Sequence, residues 1–272
     1  MKKLLAITAL SAALFFGQTA VAEEKAAEEV KPSHVEMVLV LDESGSMSDL
    51  TRDTIGGFNS MIEKEKKLDV DAHVTTVLFN DQYKMLYNRR ELKDVRKMTD
   101  KDYTPGGMKA LLDAVGRTIH KMDMVSGIHR KDKGNKVLFV IITDGEENDS
   151  REYTYADVKK LIKDRQENAG WEFIFLGANI DAAAAAENLG IDRDRAVKYK
   201  NTGSGVRANF KAVAELSDSL AKSGRVSDKW KSQVEEDTDE NVMAATADTK
   251  EHAAPPAKPV KKHLVSKVRK AK

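Results

Sequence analysis

The chain has 272 residues, with 45 Lys and Arg against 44 Asp and Glu for a formal net charge of +1, and it contains no cysteine. Without thiols there is no disulfide, no zinc–thiolate site and no cysteine nucleophile, so a hydrophobic core must stabilise the fold. The length suffices for one full domain of that kind.

At the N-terminus, Met1-Lys2-Lys3 precedes an apolar run from Leu4 to Phe16 and then Ala20-Val21-Ala22. This is the pattern of a secretory signal peptide over residues 1–22, cleaved before Glu23. Its apolar core is short for a membrane span, and no later segment approaches one, so the expected location is the periplasm or outside the cell. An acidic, Ala-rich linker, 23–33, follows.

The folded part is expected over 34–223, where strand and helix patterns alternate in the manner of an α/β fold with a mainly parallel sheet. Val35 to Leu41 reads as a strand, and Ile55, Phe58, Met61 and Ile62 give the stripe of a helix starting on the loop after it. Ala72 to Phe79 is the next strand, and Met85-Leu86-Tyr87 its short antiparallel edge partner. Pro105-Gly106-Gly107 breaks the chain before a helix with Leu111, Leu112, Val115, Ile119 and Met122 on its apolar face. Val137 to Thr143 is the central strand, followed by a helix from Thr154 to Asn168 that Gly170 stops. Trp171 to Leu176, Ala182 to Leu189, Ala196 to Tyr199 and Val206 to Leu220 then read as strand, helix, strand and helix.

From Gly224 to Lys272 large apolar residues are sparse; Glu235 to Glu251 is mainly acidic, and Lys258 to Lys272 carries only basic charges. The segment 224–272 is therefore expected to be a disordered tail. Its basic end suits an anionic polymer or lipid, or alternatively is a solvated solubility tail. It lacks the interleaved aromatics of a specific nucleic-acid reader.

Two strand ends carry candidate chemistry. Val38 to Leu41 runs into Asp42-Glu43-Ser44-Gly45-Ser46, whose carboxylate and small hydroxyls are hard oxygen donors suited to a divalent cation. The same residues could equally form a turn whose side chains cap the next helix. Val137 to Thr143 runs into Asp144-Gly145-Glu146-Glu147, a second acidic turn. Asp113 is expected to accept loop backbone hydrogen bonds rather than act in catalysis. Glu43 is expected to be solvated, or to stand behind the cation's direct ligands. His34, His73, His120 and His129 fall on different elements without metal-ligand spacing, and no G-x-S-x-G elbow is present, so zinc or serine hydrolysis has no sequence support.

In order, V-L-V-L-D-E-S-G-S-M, G-G-F-N-S-M-I, A-L-L-D-A-V-G and F-V-I-I-T-D-G-E-E-N resemble a bacterial von Willebrand factor type A domain over about Val35 to Leu220. The resemblance implies a doubly wound sheet flanked by helices, with a metal-ion-dependent adhesion site at the strand ends. It implies Ser44 and Ser46 as direct ligands of Mg2+ or Mn2+, and Asp42 and Asp144 as direct or water-mediated ones. An acidic side chain of a protein partner would complete the octahedron. The implied function is a non-enzymatic protein-binding module. A metal-assisted envelope enzyme and a structural or adhesive envelope protein are the alternatives.

The sequence departs from the family at Lys109, which stands where a threonine ligand is expected. Three arrangements are open: the lysine snorkels to solvent while water replaces the hydroxyl; its ammonium sits between Asp42 and Asp144 in place of the cation; or Thr104 folds back as the ligand.

Overall fold

The computed structural model describes residues 34–68, 70–125, 135–232 and 234–235. The expected signal peptide, linker and most of the charged tail lie outside the described residues.

Six strands form one sheet: β1 (His34–Asp42), β2 (Ala72–Phe79), β3 (Tyr83–Glu91), β4 (Asn135–Thr143), β5 (Glu172–Gly177) and β6 (Ala196–Lys198). Their order is β3-β2-β1-β4-β5-β6, with every pairing parallel except that of edge strand β3. The order reverses between β1 and β4, and that switch point is where open sheets of this kind place a site at the carboxyl ends of the strands.

Five helices cover the two faces: α1 (Thr51–Lys67), α2 (Leu111–Asp123), α3 (Tyr155–Asp164), α4 (Ala182–Leu189) and α5 (Gly203–Ser223). Side chains alternate across a strand, so β1 feeds two cores. Val35, Met37, Leu39 and Leu41 pack with Phe58 of α1 and Phe210, Val213 and Leu216 of α5. Val38 and Val40 pack with Leu112, Val115 and Ile119 of α2, Val158 and Ile162 of α3 and Ala186 of α4. Gly57 lets α1 and α5 approach, because a Cβ there would overlap the ring of Phe210.

The strand and helix pattern read from sequence holds, with three differences. A 3-10 turn, Gly45–Leu50, intervenes before α1, so that helix begins at Thr51. The expected helix to Asn168 changes to a wider π turn over Arg165–Ala169 before Gly170, whose φ is 69°. The ordered chain also passes the boundary placed at 224. Trp230 and Val234 are each 1% exposed and join the core of α1 and α5, so burial of one large aromatic ties down a segment whose composition is otherwise polar.

Candidate functional site

The site lies where β1 and β4 end side by side. Asp42 ends β1 and Asp144 immediately follows β4, and both are buried, as are Glu43, Ser44 and Lys109, whereas Ser46 is exposed. Asp42 Oδ1 accepts from the backbone N–H of Ser44 at 2.8 Å, which curls the loop and directs the Ser44 and Ser46 hydroxyls, 3.2 Å apart, inward. Ser46 Oγ donates to Asp144 Oδ1 at 2.7 Å. The helix-capping alternative is not realised: neither Ser44 before the 3-10 turn nor Leu50 before α1 makes a side-chain cap.

Lys109 enters this cluster. Its Nζ donates to Asp42 Oδ2, to Ser44 Oγ at 2.8 Å and to Asp144 Oδ1 at 2.7 Å, and the residue is 4% exposed. The solvent-snorkelling arrangement is therefore not the one adopted: three oxygen acceptors are within reach of the ammonium, and its stem is enclosed. The backbone fixes the entry angle, since Lys109 N–H donates to Asn148 Oδ1 at 2.8 Å and its carbonyl accepts from Asn148 and Asp149. Thr143 Oγ1 adds a 2.7 Å hydrogen bond to Asp42 Oδ2.

Thr104 is turned elsewhere. Its N–H donates to Glu43 Oε1, its hydroxyl lies 3.4 Å from the same oxygen, and Lys84 Nζ bonds that carboxylate at 3.1 Å. Glu43 is thus not a solvated loop carboxylate. It is 4% exposed and braces the 104–106 loop, whose Gly106 N–H also bonds the Glu43 carbonyl at 2.9 Å. Next in the loop, Gly107 has φ 75° and lies so close to Asp81 that a Cβ would overlap its carboxylate, which explains a glycine here.

With Lys109 in place, these donors do not fit a divalent cation. Three of the oxygens that would ligate it already accept from an ammonium, and a second cation among them would meet like charge at contact distance. Two carboxylates against one ammonium leave the cluster formally one charge negative, and Asp144 Oδ2 is buried without a hydrogen-bond partner. Two tyrosines that sequence reasoning passed over face this field. Burial above all, with Asp42 and Asp144 adding to it, pushes the phenols of Tyr103 and Tyr199 well above the usual range, so both stay neutral. Tyr103 donates its hydroxyl to the Asp42 carbonyl at 2.6 Å.

The other acidic residues are structural. Asp113 Oδ1 accepts from the N–H groups of Glu152 and Tyr153, both at 2.9 Å, and its Oδ2 from that of Arg151 at 3.0 Å, as expected from sequence. Glu147 accepts from Ser150 and Asp149 in its own loop and from Leu112 N–H at 3.1 Å, so it caps the start of α2. Such a cap could have been suspected only by knowing that this loop folds over α2.

Comparison with known proteins agrees with this architecture. A family model described as the vWA found in the TerF C terminus matches residues 34–203. No curated protein matches the chain. Among solved structures, the vWF domain of the type V pili tip protein Mfa5 from Porphyromonas gingivalis is similar at 12% identity and a TM-score of 0.50, covering 72% of this chain and 99% of that one. The D319A mutant of the PilB minor pilin from Streptococcus sanguinis gives 13% identity and a TM-score of 0.50, over 72% and 64% of the two chains. Proximal thread matrix protein 1 from the mussel byssus gives 14% and 0.46, over 68% of this chain; the chain spans only 46% of that protein's length. At these identities the likeness is one of fold.

Proposed function

The chain belongs to the von Willebrand factor A family in the form found at the TerF C terminus, and we propose that it is a non-enzymatic protein-binding module whose strand-end surface works without a bound metal ion. The observation that carries this reading is the Lys109 ammonium on Asp42, Ser44 and Asp144. It supplies from within the chain part of the positive charge that Mg2+ or Mn2+ would bring.

The exchange alters what a partner can offer. An ion with an open position would capture an acidic side chain, whereas a buried ammonium already shared among three acceptors has no open position, and the residual negative charge repels a carboxylate. Recognition then rests on the rim. Of the four large apolar side chains exposed among the described residues, Met108 (52% exposed) adjoins Lys109, and Tyr155 (44%) stands by Glu146 and Glu147. Met and Tyr are favoured at interface centres, and exposed Ser46, Asn148 and Asn179 supply polar contacts around them.

The same reading places the module in the periplasm or outside the cell, on the strength of the Leu4–Phe16 run and Ala20-Val21-Ala22, with a basic tail that suits anionic polymers. Among the described residues no helix is long and apolar enough to cross a membrane.

Affinity capture from an envelope extract, run with and without EDTA, tests the proposal. A protein retained equally in both, and lost with Met108→Asp, is the expected result. Retention that EDTA abolishes would overturn metal independence, and the absence of any specifically retained protein would overturn the binding role.

A further inference from the structure

The opposite end of β1 gathers a second cluster. Alternation along β1 puts His34 and Glu36 on one face, and the parallel register sets His73 of β2 opposite Glu36. The two histidines, remote in sequence, therefore meet, which corrects the expectation that they are scattered. His34 Nε2 and His73 Nδ1 are 2.9 Å apart, and they lie 3.3 and 3.2 Å from Glu36 Oε1.

We propose that His34, Glu36 and His73 form a binding site for a divalent transition metal of the zinc class. The three donor atoms make a nearly equilateral triangle. An ion at the usual ~2.0–2.1 Å from each would see them at angles of roughly 90–110°, between octahedral and tetrahedral values. Two imidazoles and one carboxylate are borderline donors that suit zinc, cobalt or nickel better than magnesium or calcium. They leave at least one position for water or a further ligand.

A separate observation points the same way. His34 Nδ1 lies 3.0 Å from Asp71 Oδ1, the carboxylate–histidine arrangement that fixes the tautomer with Nε2 free to ligate. The site is open enough to be loaded, with the side chains of His34 and His73 18% and 26% exposed and Glu36 at 2% behind them.

Arg89 is the competitor. Two unpaired residues on β3 face Thr75 between the pairs Val74↔Arg90 and Thr76↔Tyr87, and this bulge aims Arg89, φ 45°, at Glu36. Its Nε donates to Glu36 Oε2 at 3.0 Å, while one terminal nitrogen reaches Oε1 and lies 3.3 Å from His73 Nδ1. The side chain is 32% exposed, so the terminal nitrogen can turn out to water while Nε keeps Oε2, and the carboxylate then bridges guanidinium and metal.

The test is calorimetric titration of the untagged full chain with Zn2+, paired with the visible spectrum of the Co2+ form. One ion per chain is expected. His34→Ala and His73→Gln should each weaken binding at least ~10-fold, and Asp71→Asn, at a side chain that is 77% exposed, by about 10-fold. Arg89→Gln should tighten binding several-fold, and Asp42→Ala should leave it unchanged. Absence of Zn2+ binding in the wild type, or binding indifferent to both histidines, overturns the site; loss with Asp42→Ala alone would place the ion at the other end of the strand.

Discussion

The two ends of β1 solve one electrostatic problem in different ways. At the carboxyl end Asp42 meets a lysine whose side chain is 5% exposed; at the amino end Glu36 meets an arginine whose side chain is 32% exposed, and it also contacts two histidines. Lys109 has three oxygen acceptors and a side chain that is only 5% exposed, so it is a fixed part of the loop architecture. Arg89 approaches from the sheet edge and can leave. Whether a side-chain cation substitutes for a metal or merely competes with one is decided by burial and by the number of acceptors it holds, more than by its charge.

Removing the buried cation should have the largest effect. Lys109→Met leaves Asp42 and Asp144 side by side without a counter-charge, and breaking a buried pair in this way costs about 3–5 kcal/mol. Thermal unfolding should shift down by about 10 °C for a domain of this size. A shift of only a degree or two would mean that the ammonium does not neutralise the pair.

Glu65 supplies a comparison within the same fold, a buried carboxyl with no cation on it. It is fully buried between α1 and α5, accepts from Ser217 Oγ at 2.7 Å, and has its other oxygen unpartnered. Burial, opposed by the Ser217 hydrogen bond and aided by Asp218, raises its pKa to about 7. A raised folded pKa favours the protonated form, so its contribution to stability is complete below pH 4.5 and is lost as pH rises towards 7. The loss approaches ~1.4 kcal/mol per pH unit. Urea unfolding should accordingly show Glu65→Gln gaining on the wild type by about 2–3 kcal/mol between pH 5 and pH 7.5. A constant difference across that window would show that Glu65 does not titrate there.

At the exposed end the penalty should be small. Arg89→Gln should cost about 1 kcal/mol in the same assay, since the guanidinium is partly solvated and the histidines remain on Glu36. A loss as large as that of Lys109→Met would erase the contrast between the two ends. Smallest of all, Thr104→Val should change stability by less than about 0.5 kcal/mol, because its hydroxyl makes only a 3.4 Å contact with Glu43.

Much of this was legible in the sequence. Uninterrupted apolar runs such as Val137 to Ile142 announce buried parallel strands, and the stripes of α2 and α5 announce their faces, because burial on one or both sides imposes those periods directly. Asp42, Ser44, Ser46 and Asp144 were legible for a related reason: each polar turn directly follows an apolar run, so the sequence marks both strand ends even though β1 and β4 are not consecutive in the chain. Lys109 was visible as a departure, but a lysine stem can lie along a surface or turn inward, and only the packed loop decides which. The His34–His73 pair was illegible, since 39 residues separate its members and strand register alone joins them. Trp230 was concealed by its polar neighbours, whose composition dominates any window that contains it.

Lys109 is proposed to stand in for the ion. Calorimetric titration of the purified domain with Mg2+ and with Mn2+, wild type beside Lys109→Thr, tests it most directly. The wild type should show no binding heat with Mg2+ and no Mn2+ binding that depends on Asp42, whereas the variant should show saturable one-site binding, because a hydroxyl replaces the ammonium and the acidic oxygens are released. Saturable binding by the wild type, lost with Asp42→Ala, would contradict it.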